Sequence, residues 1–176
     1  MIAQISPVAE SDLPFEPDAT PPHKQIAIES TPDAEARADG ETEPFGWINL
    51  REMPDGLSRL IDADEFVLVA ASARLVLSYP LDVSAVRGIA PGDGRTFMRR
   101  ELVQLIDETY REVYAKETAT QSEPTPAIAD RGLLLNRPAS DGTFGIWGHD
   151  LDDLAIEGIN VYVFEGEVWV HPEMGS

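Results

Sequence analysis

The sequence predicts an α+β fold: a small single domain with one long helix, one short helix and a sheet that includes a C-terminal β-hairpin. A disordered or extended acidic arm precedes it. Three observations carry this. Residues 97–116 repeat apolar side chains at three- and four-residue steps, residues 161–171 alternate in twos about Glu165-Gly166-Glu167, and residues 1–44 show neither period. At 176 residues the natural division is an arm over 1–44 and one domain over 45–176.

The arm holds seven of the fourteen prolines and ten acidic side chains against Lys24 and Arg37. That composition buries too little surface to offset the entropy of ordering, so the arm is expected to add little to the core. Three short apolar islands interrupt it, at Ile2–Ile5, Leu13–Phe15 and Gln25–Ile28, and each is a candidate docking segment.

Order is expected from Phe45. The stretch 44–50 reads as an edge strand or anchoring turn, and Pro54-Asp55-Gly56 is a turn that leads into a short helix through Leu57, Leu60 and Ile61. Residues 66–79 are a continuous apolar run that fits two buried strands joined at Ala71–Ala73 or one buried helix. The β-branched content favours the strands. Residues 87–95 read as a loop, after which Thr96 is the expected N-cap of the long helix. On that helix Met98, Leu102, Leu105, Ile106 and Val113 define the buried face.

A proline-bearing linker follows. Gly132–Asn136 then reads as a short buried strand or turn, and Ser140-Asp141-Gly142 as a turn. Asp150 is expected to open a second helix that buries Leu151, Leu154 and Ala155 and stops at Gly158. The hairpin closes the chain, with one face for the helices and the other for a neighbour.

Charge and composition bound the function. The net charge is −19 and the pI near 4.3, a field that repels phosphate backbones, so direct nucleic-acid binding is not expected. Without cysteine there are no disulfides or thiolate metal sites. The N-terminus lacks the basic and apolar regions of a signal peptide, and no apolar run is long enough to span a bilayer, so a cytoplasmic location away from membranes is expected.

The densest chemistry lies in Gly145, Trp147, Gly148, His149, Asp150, Asp152 and Asp153. One imidazole and three carboxylates invite a metal, yet Asp150 and Asp153 hold the N-cap and N3 positions, where free N–H groups favour negative charge. The expectation is a structural cap, with no metal and no cofactor. His149 with Asp152 is the alternative, a general base, although no nucleophile adjoins it in sequence. Arg95, Arg99 and Arg100 cluster where the long helix begins, and there cations oppose the helix dipole. An ion pair between Arg99 or Arg100 and the 150–153 turn would explain them, and an external anion is the other reading.

Together, TFMRRELVQLIDETYREVY and LLNRPASDGTFGIWGHDLDDLAIEGI resemble a family of uncharacterised proteins with a Gly-Ile-Trp-Gly-His-Asp signature, met in large DNA viruses, plants and some bacteria. The resemblance covers about residues 95–160, and Met98 departs from the Thr-Arg order at the helix start. It implies that the two motifs form one unit, and it implies no activity. The function expected is therefore a non-enzymatic interaction protein, docking a partner with a basic surface through the arm, the apolar hairpin or both. The alternatives are a small enzyme acting on an anionic substrate through His149, and a mimic of DNA or another polyanion.

Overall fold

The computed structural model describes residues 4–17, 19–132 and 135–176. Among the described residues, nine strands and three α-helices follow in order: β1 Ser6–Val8, β2 Lys24–Ala27, α1 Ala34–Ala38, β3 Ile48–Asn49, α2 Asp55–Arg59, β4 Phe66–Val69, β5 Ala73–Leu77, β6 Ser84–Ile89, β7 Thr96–Met98, α3 Arg99–Thr120, β8 Ala155–Phe164 and β9 Glu167–Gly175. The main sheet has seven strands in the order β1-β6-β5-β9-β8-β2, with β3 also on β8; β4 and β7 form a separate pair. All pairings are antiparallel except β5 with β9.

Alternation explains both faces of this sheet. Leu75, Leu77, Ile159, Val161 and Val170 point to one side, where they meet Leu102, Val103, Ile106, Tyr110 and Val113 of α3. Val76, Tyr162 and Trp169 point to the other, where they meet Leu13 and Phe15 of the arm. The hairpin that joins the two long strands turns on Glu165 and Gly166, both at positive φ, the geometry of a two-residue type I′ turn.

The arm is extended, and its apolar islands are where it docks. Ile5, Leu13, Phe15, Ile26 and Ile28 are all buried, while Ile2 lies outside the described residues. β1 pairs with β6 and β2 pairs with β8, so no break in the core falls at residue 44. Phe15 stacks on Tyr162 with ring centroids 4.1 Å apart, and Tyr162 Oη donates to the Pro17 carbonyl at 3.0 Å. The face of the hairpin expected to meet a neighbour is covered by the chain's own arm.

Four local expectations need correction. The run 66–79 is two strands, as favoured, but the expected loop 87–95 begins inside β6. Asp93 Oδ1 accepts the N–H groups of Arg95 and Thr96, both at 2.7 Å, and this turn sends Thr96–Met98 into β7. The long helix therefore starts at Arg99, and Glu101, not Thr96, caps it by accepting the Met98 N–H at 2.9 Å. The helix expected from Asp150 is one 3-10 turn, Leu151–Asp153, after which the chain enters β8. The β-branched content of Ile156, Ile159 and Val161 and the pairing with β2, β3 and β9 outweigh the helical spacing there, and Gly158 sits at a bulge rather than a helix end. For the stretch 132–136, Leu133 and Leu134 lie outside the described residues, and Leu135 is exposed.

The arm's burial predicts that removing it is costly. Phe15→Ala should lower stability by on the order of 3 kcal/mol in urea denaturation, the range for deleting a buried aromatic ring. Deletion of residues 4–29 should lower the thermal midpoint sharply. A truncated chain with an unchanged midpoint would mean that the arm rests on the sheet without contributing to it.

Candidate functional site

A buried carboxylate at the end of α3 organises the loop that carries the glycine-rich motif. Glu117 is fully buried and accepts three hydrogen bonds, from Ser140 Oγ at 2.6 Å, Gly142 N at 2.9 Å and Phe144 N at 2.7 Å. A Cβ at position 142 would lie 2.5 Å from the carboxyl carbon, so only glycine lets the backbone come this close. Burial works to raise the Glu117 pKa, but the donors from Ser140, Phe144 and Gly142 outweigh it and hold the carboxyl below its ordinary value. The loop then runs beside Leu81 and Asp82. The Asp82 N–H donates to the Phe144 carbonyl at 3.0 Å, and Gly145 takes φ +64 against the Asp82 side chain.

From this base the motif residues are placed one by one. Trp147 is 39% exposed and meets Tyr79 edge-on at 5.5 Å. Gly148, at φ +75, exchanges backbone hydrogen bonds with Arg137. The His149 carbonyl accepts Tyr114 Oη of α3 at 3.0 Å, so helix and motif form one unit. Asp150 is gripped by Arg131 at 2.5 and 3.0 Å and by Arg137 at 3.4 Å, and the Arg137 guanidinium lies 5.4 Å over the Tyr114 ring. The Arg131 hydrogen bond, more than any other influence, holds the Asp150 carboxyl below its ordinary pKa.

The capping expectation holds for Asp153, whose carboxylate accepts the Asp150 N–H at 2.9 Å. The Asp150 side chain, the other member of this capping box, is also held by the two arginines. Among the described residues no group of three acidic, histidine or cysteine side chains is arranged to hold a metal ion. His149 tilts against the Tyr79 ring and reaches Ser176 Oγ at 3.4 Å. Together with Asp152, Asp153 and Arg51 it lines a shallow cavity of about 440 Å³.

Arg99 and Arg100 do not reach this turn. Arg99 pairs with Glu65 at 2.6 Å and donates to the Ile61 and Asp62 carbonyls; Arg100 pairs with Asp64 at 2.6 Å. At about 1.5 Å of rise per residue, Arg99 is roughly 22 Å along the helix from Tyr114, too far for a side chain to span. The carboxylates of Asp64 and Glu65 offset the unfavourable dipole position of the two arginines. Arg95 is exposed beside the Asp93 turn.

A groove of about 910 Å³ opens on the far side of Tyr79 and Trp147, between the arm and the outer face of β8 and β9. Its floor is polar. Ser78 Oγ lies 2.7 Å from His171 Nε2, and Asn160 Nδ2 donates to Glu173 at 3.0 Å. Glu10, Glu157 and Glu173 border it, all exposed, and no Lys or Arg among the described residues lines it. The bulge in β8 sets Glu157 opposite no partner residue, which turns it toward the same face as Glu173. Glycines leave room for both: the Glu173 carboxylate lies where a Cβ at Gly158 would be, and the Glu157 carboxylate lies against Gly175.

Sequence reasoning missed this group, although a signal was present. On a face whose alternate residues are Tyr162, Phe164 and Trp169, the same alternation continues into Asn160, His171 and Glu173. Polar side chains that continue an apolar stripe mark where the covering layer ends. Compared with protein-family models, curated proteins and solved structures, the chain matches none.

Three predictions concern Glu117 and Asp150. Glu117→Ala leaves the Gly142 and Phe144 N–H groups without their acceptor and should cost on the order of 3 kcal/mol. Because the folded pKa of Glu117 is lowered, its contribution is full above the unfolded value of about 4.3 and is lost as pH falls through the folded value. Wild type should therefore lose more stability on acidification than Glu117→Gln, and parallel acid curves would contradict this. In a double-mutant cycle, Arg131→Ala and Asp150→Asn should couple by about 1–3 kcal/mol, whereas Arg99→Ala and Asp150→Asn should add to within about 0.5 kcal/mol.

Proposed function

We propose that this chain is an interaction protein that takes a basic, extended segment of a partner protein into the groove between its arm and its hairpin. The observation that carries the reading is the lining itself: Glu10, Glu157 and Glu173 stand around an open channel without a cation among the described residues to offset them. A net charge of −19 draws basic partners toward the molecule and repels acidic ones. Tyr79 and Trp147 at one end add aromatic faces on which an ammonium or guanidinium group rests favourably. The apolar hairpin face that the sequence offered as a docking surface is already occupied by Leu13 and Phe15. The groove beside it is left for the partner.

One observation favours a second reading. His149 and Asp152 line the same open cavity, as a general base and its neighbouring carboxylate would, so a small enzyme acting on an anionic substrate remains the alternative.

The test is titration with an extended Lys/Arg-rich peptide and its Glu-substituted counterpart. The basic peptide should bind one-to-one, weaken with salt and perturb Trp147 fluorescence. The double change Glu157→Gln with Glu173→Gln should reduce its affinity about tenfold. Equal binding of both peptides, or binding insensitive to the two glutamates, would reject the groove as the docking site.

A further inference from the structure

We propose that Ser78 and His171 on the floor of the groove form a nucleophile–base pair for acyl transfer, and that esters are the substrate class. The geometry is that of an activated hydroxyl, with Ser78 Oγ 2.7 Å from His171 Nε2. His171 is 6% exposed and therefore held in place, whereas Ser78 is only partly buried and lines the open channel. Three neighbouring strands fix the arrangement. Ser78 directly follows β5, His171 lies in β9 next to the parallel β5 register at Val170, and Asn160 of β8 is the cross-strand partner of His171. His171 is held within a strand and Ser78 directly at the end of its neighbour, which suits a reaction that depends on alignment.

The reaction balances with water as the only co-substrate. With Nε2 as the acceptor, Ser78 Oγ adds to the ester carbonyl carbon as its proton passes to His171 Nε2, giving a tetrahedral oxyanion. The bond to the alcohol oxygen then breaks, the proton returns from Nε2 to that oxygen, and an acyl-Ser78 remains. Water adds to the acyl carbon, giving its proton to Nε2. Collapse frees the carboxylic acid, and Ser78 Oγ recovers the proton. That the preferred ester carries a cation rests on the groove reading above; the acyl chemistry itself does not.

Two probes separate these parts. A neutral fluorophosphonate should modify folded wild-type protein at Ser78 and at no other serine, as mapped by mass spectrometry, and Ser78→Ala should abolish the adduct. His171→Gln, which keeps a hydrogen-bonding side chain but no base, should slow labelling by about 100-fold or more. Absence of a Ser78 adduct in folded wild type overturns the proposal, as does labelling of His171→Gln at the wild-type rate. Should His171→Gln fail to fold, the wild-type adduct decides alone. Next, a choline-type cationic ester and its neutral isostere are compared. Faster hydrolysis of the cationic ester, lost in Glu157→Gln with Glu173→Gln, supports both the pair and the acidic groove. Equal hydrolysis of both esters through Ser78 leaves the pair standing and removes the cation preference.

Discussion

The buried carboxylate of Glu117 is the constraint on which the glycine-rich loop depends. A charge with no exposed surface is tolerated only when its lone pairs are filled, and Ser140, Gly142 and Phe144 fill them. The same bonds decide where residues 140–144 run, and therefore where Gly145 turns against Asp82 and where Trp147 meets Tyr79. Tyr79 and Trp147 form one end of the groove. An acid on a helix thus sets the wall of a channel that it does not touch. Tyr114, one turn earlier on α3, ties down the next stretch through the His149 carbonyl.

The arm shows why mean composition is a weak guide to order. Averaged over 1–44, proline and acid dominate, and the entropic argument against ordering is sound for such a chain in isolation. What it omits is a receiving surface. Val76, Tyr162 and Trp169 form an apolar strip on the outer face of the sheet that would otherwise be wet, and Leu13 and Phe15 fill it. Ile5 and Ile26 join the main core. The islands were visible in the sequence; the surface that receives them is assembled from strands more than sixty residues away in the chain and was not.

The same division between local and distant information runs through the rest. The long helix and the C-terminal hairpin were legible because a period of 3.6 or 2 is written in consecutive residues. Asp153 as a cap was legible because its partner N–H is three residues away. The partners of Arg99 and of Asp150 were not, since nothing in sequence distinguishes Glu65 from Asp153, or Arg131 from Arg99, as the nearer opposite charge. The start of β8 failed for a related reason. Leu151, Leu154 and Ala155 carry helical spacing, but β2, β3 and β9 supply the hydrogen bonds that make the segment a strand.

How the charges are distributed explains why so acidic a chain still presents a directed surface. Few cations are present, and the fold commits nearly all of them. Arg59, Arg74, Arg87, Arg99, Arg100 and Arg111 pair with carboxylates of the domain, and Arg131 and Arg137 share Asp150. Lys24 and Lys116 donate to the carbonyls of Val67 and Ile5, which ties the arm to the domain at two points. The cations thus serve as internal fastenings, and the carboxylates left over accumulate at the surface. Around the groove they stand beside a polar floor and two aromatic rings. No Lys or Arg among the described residues lines the groove, so the field of these carboxylates is not offset locally. A field of this sign repels phosphate backbones and attracts cationic groups.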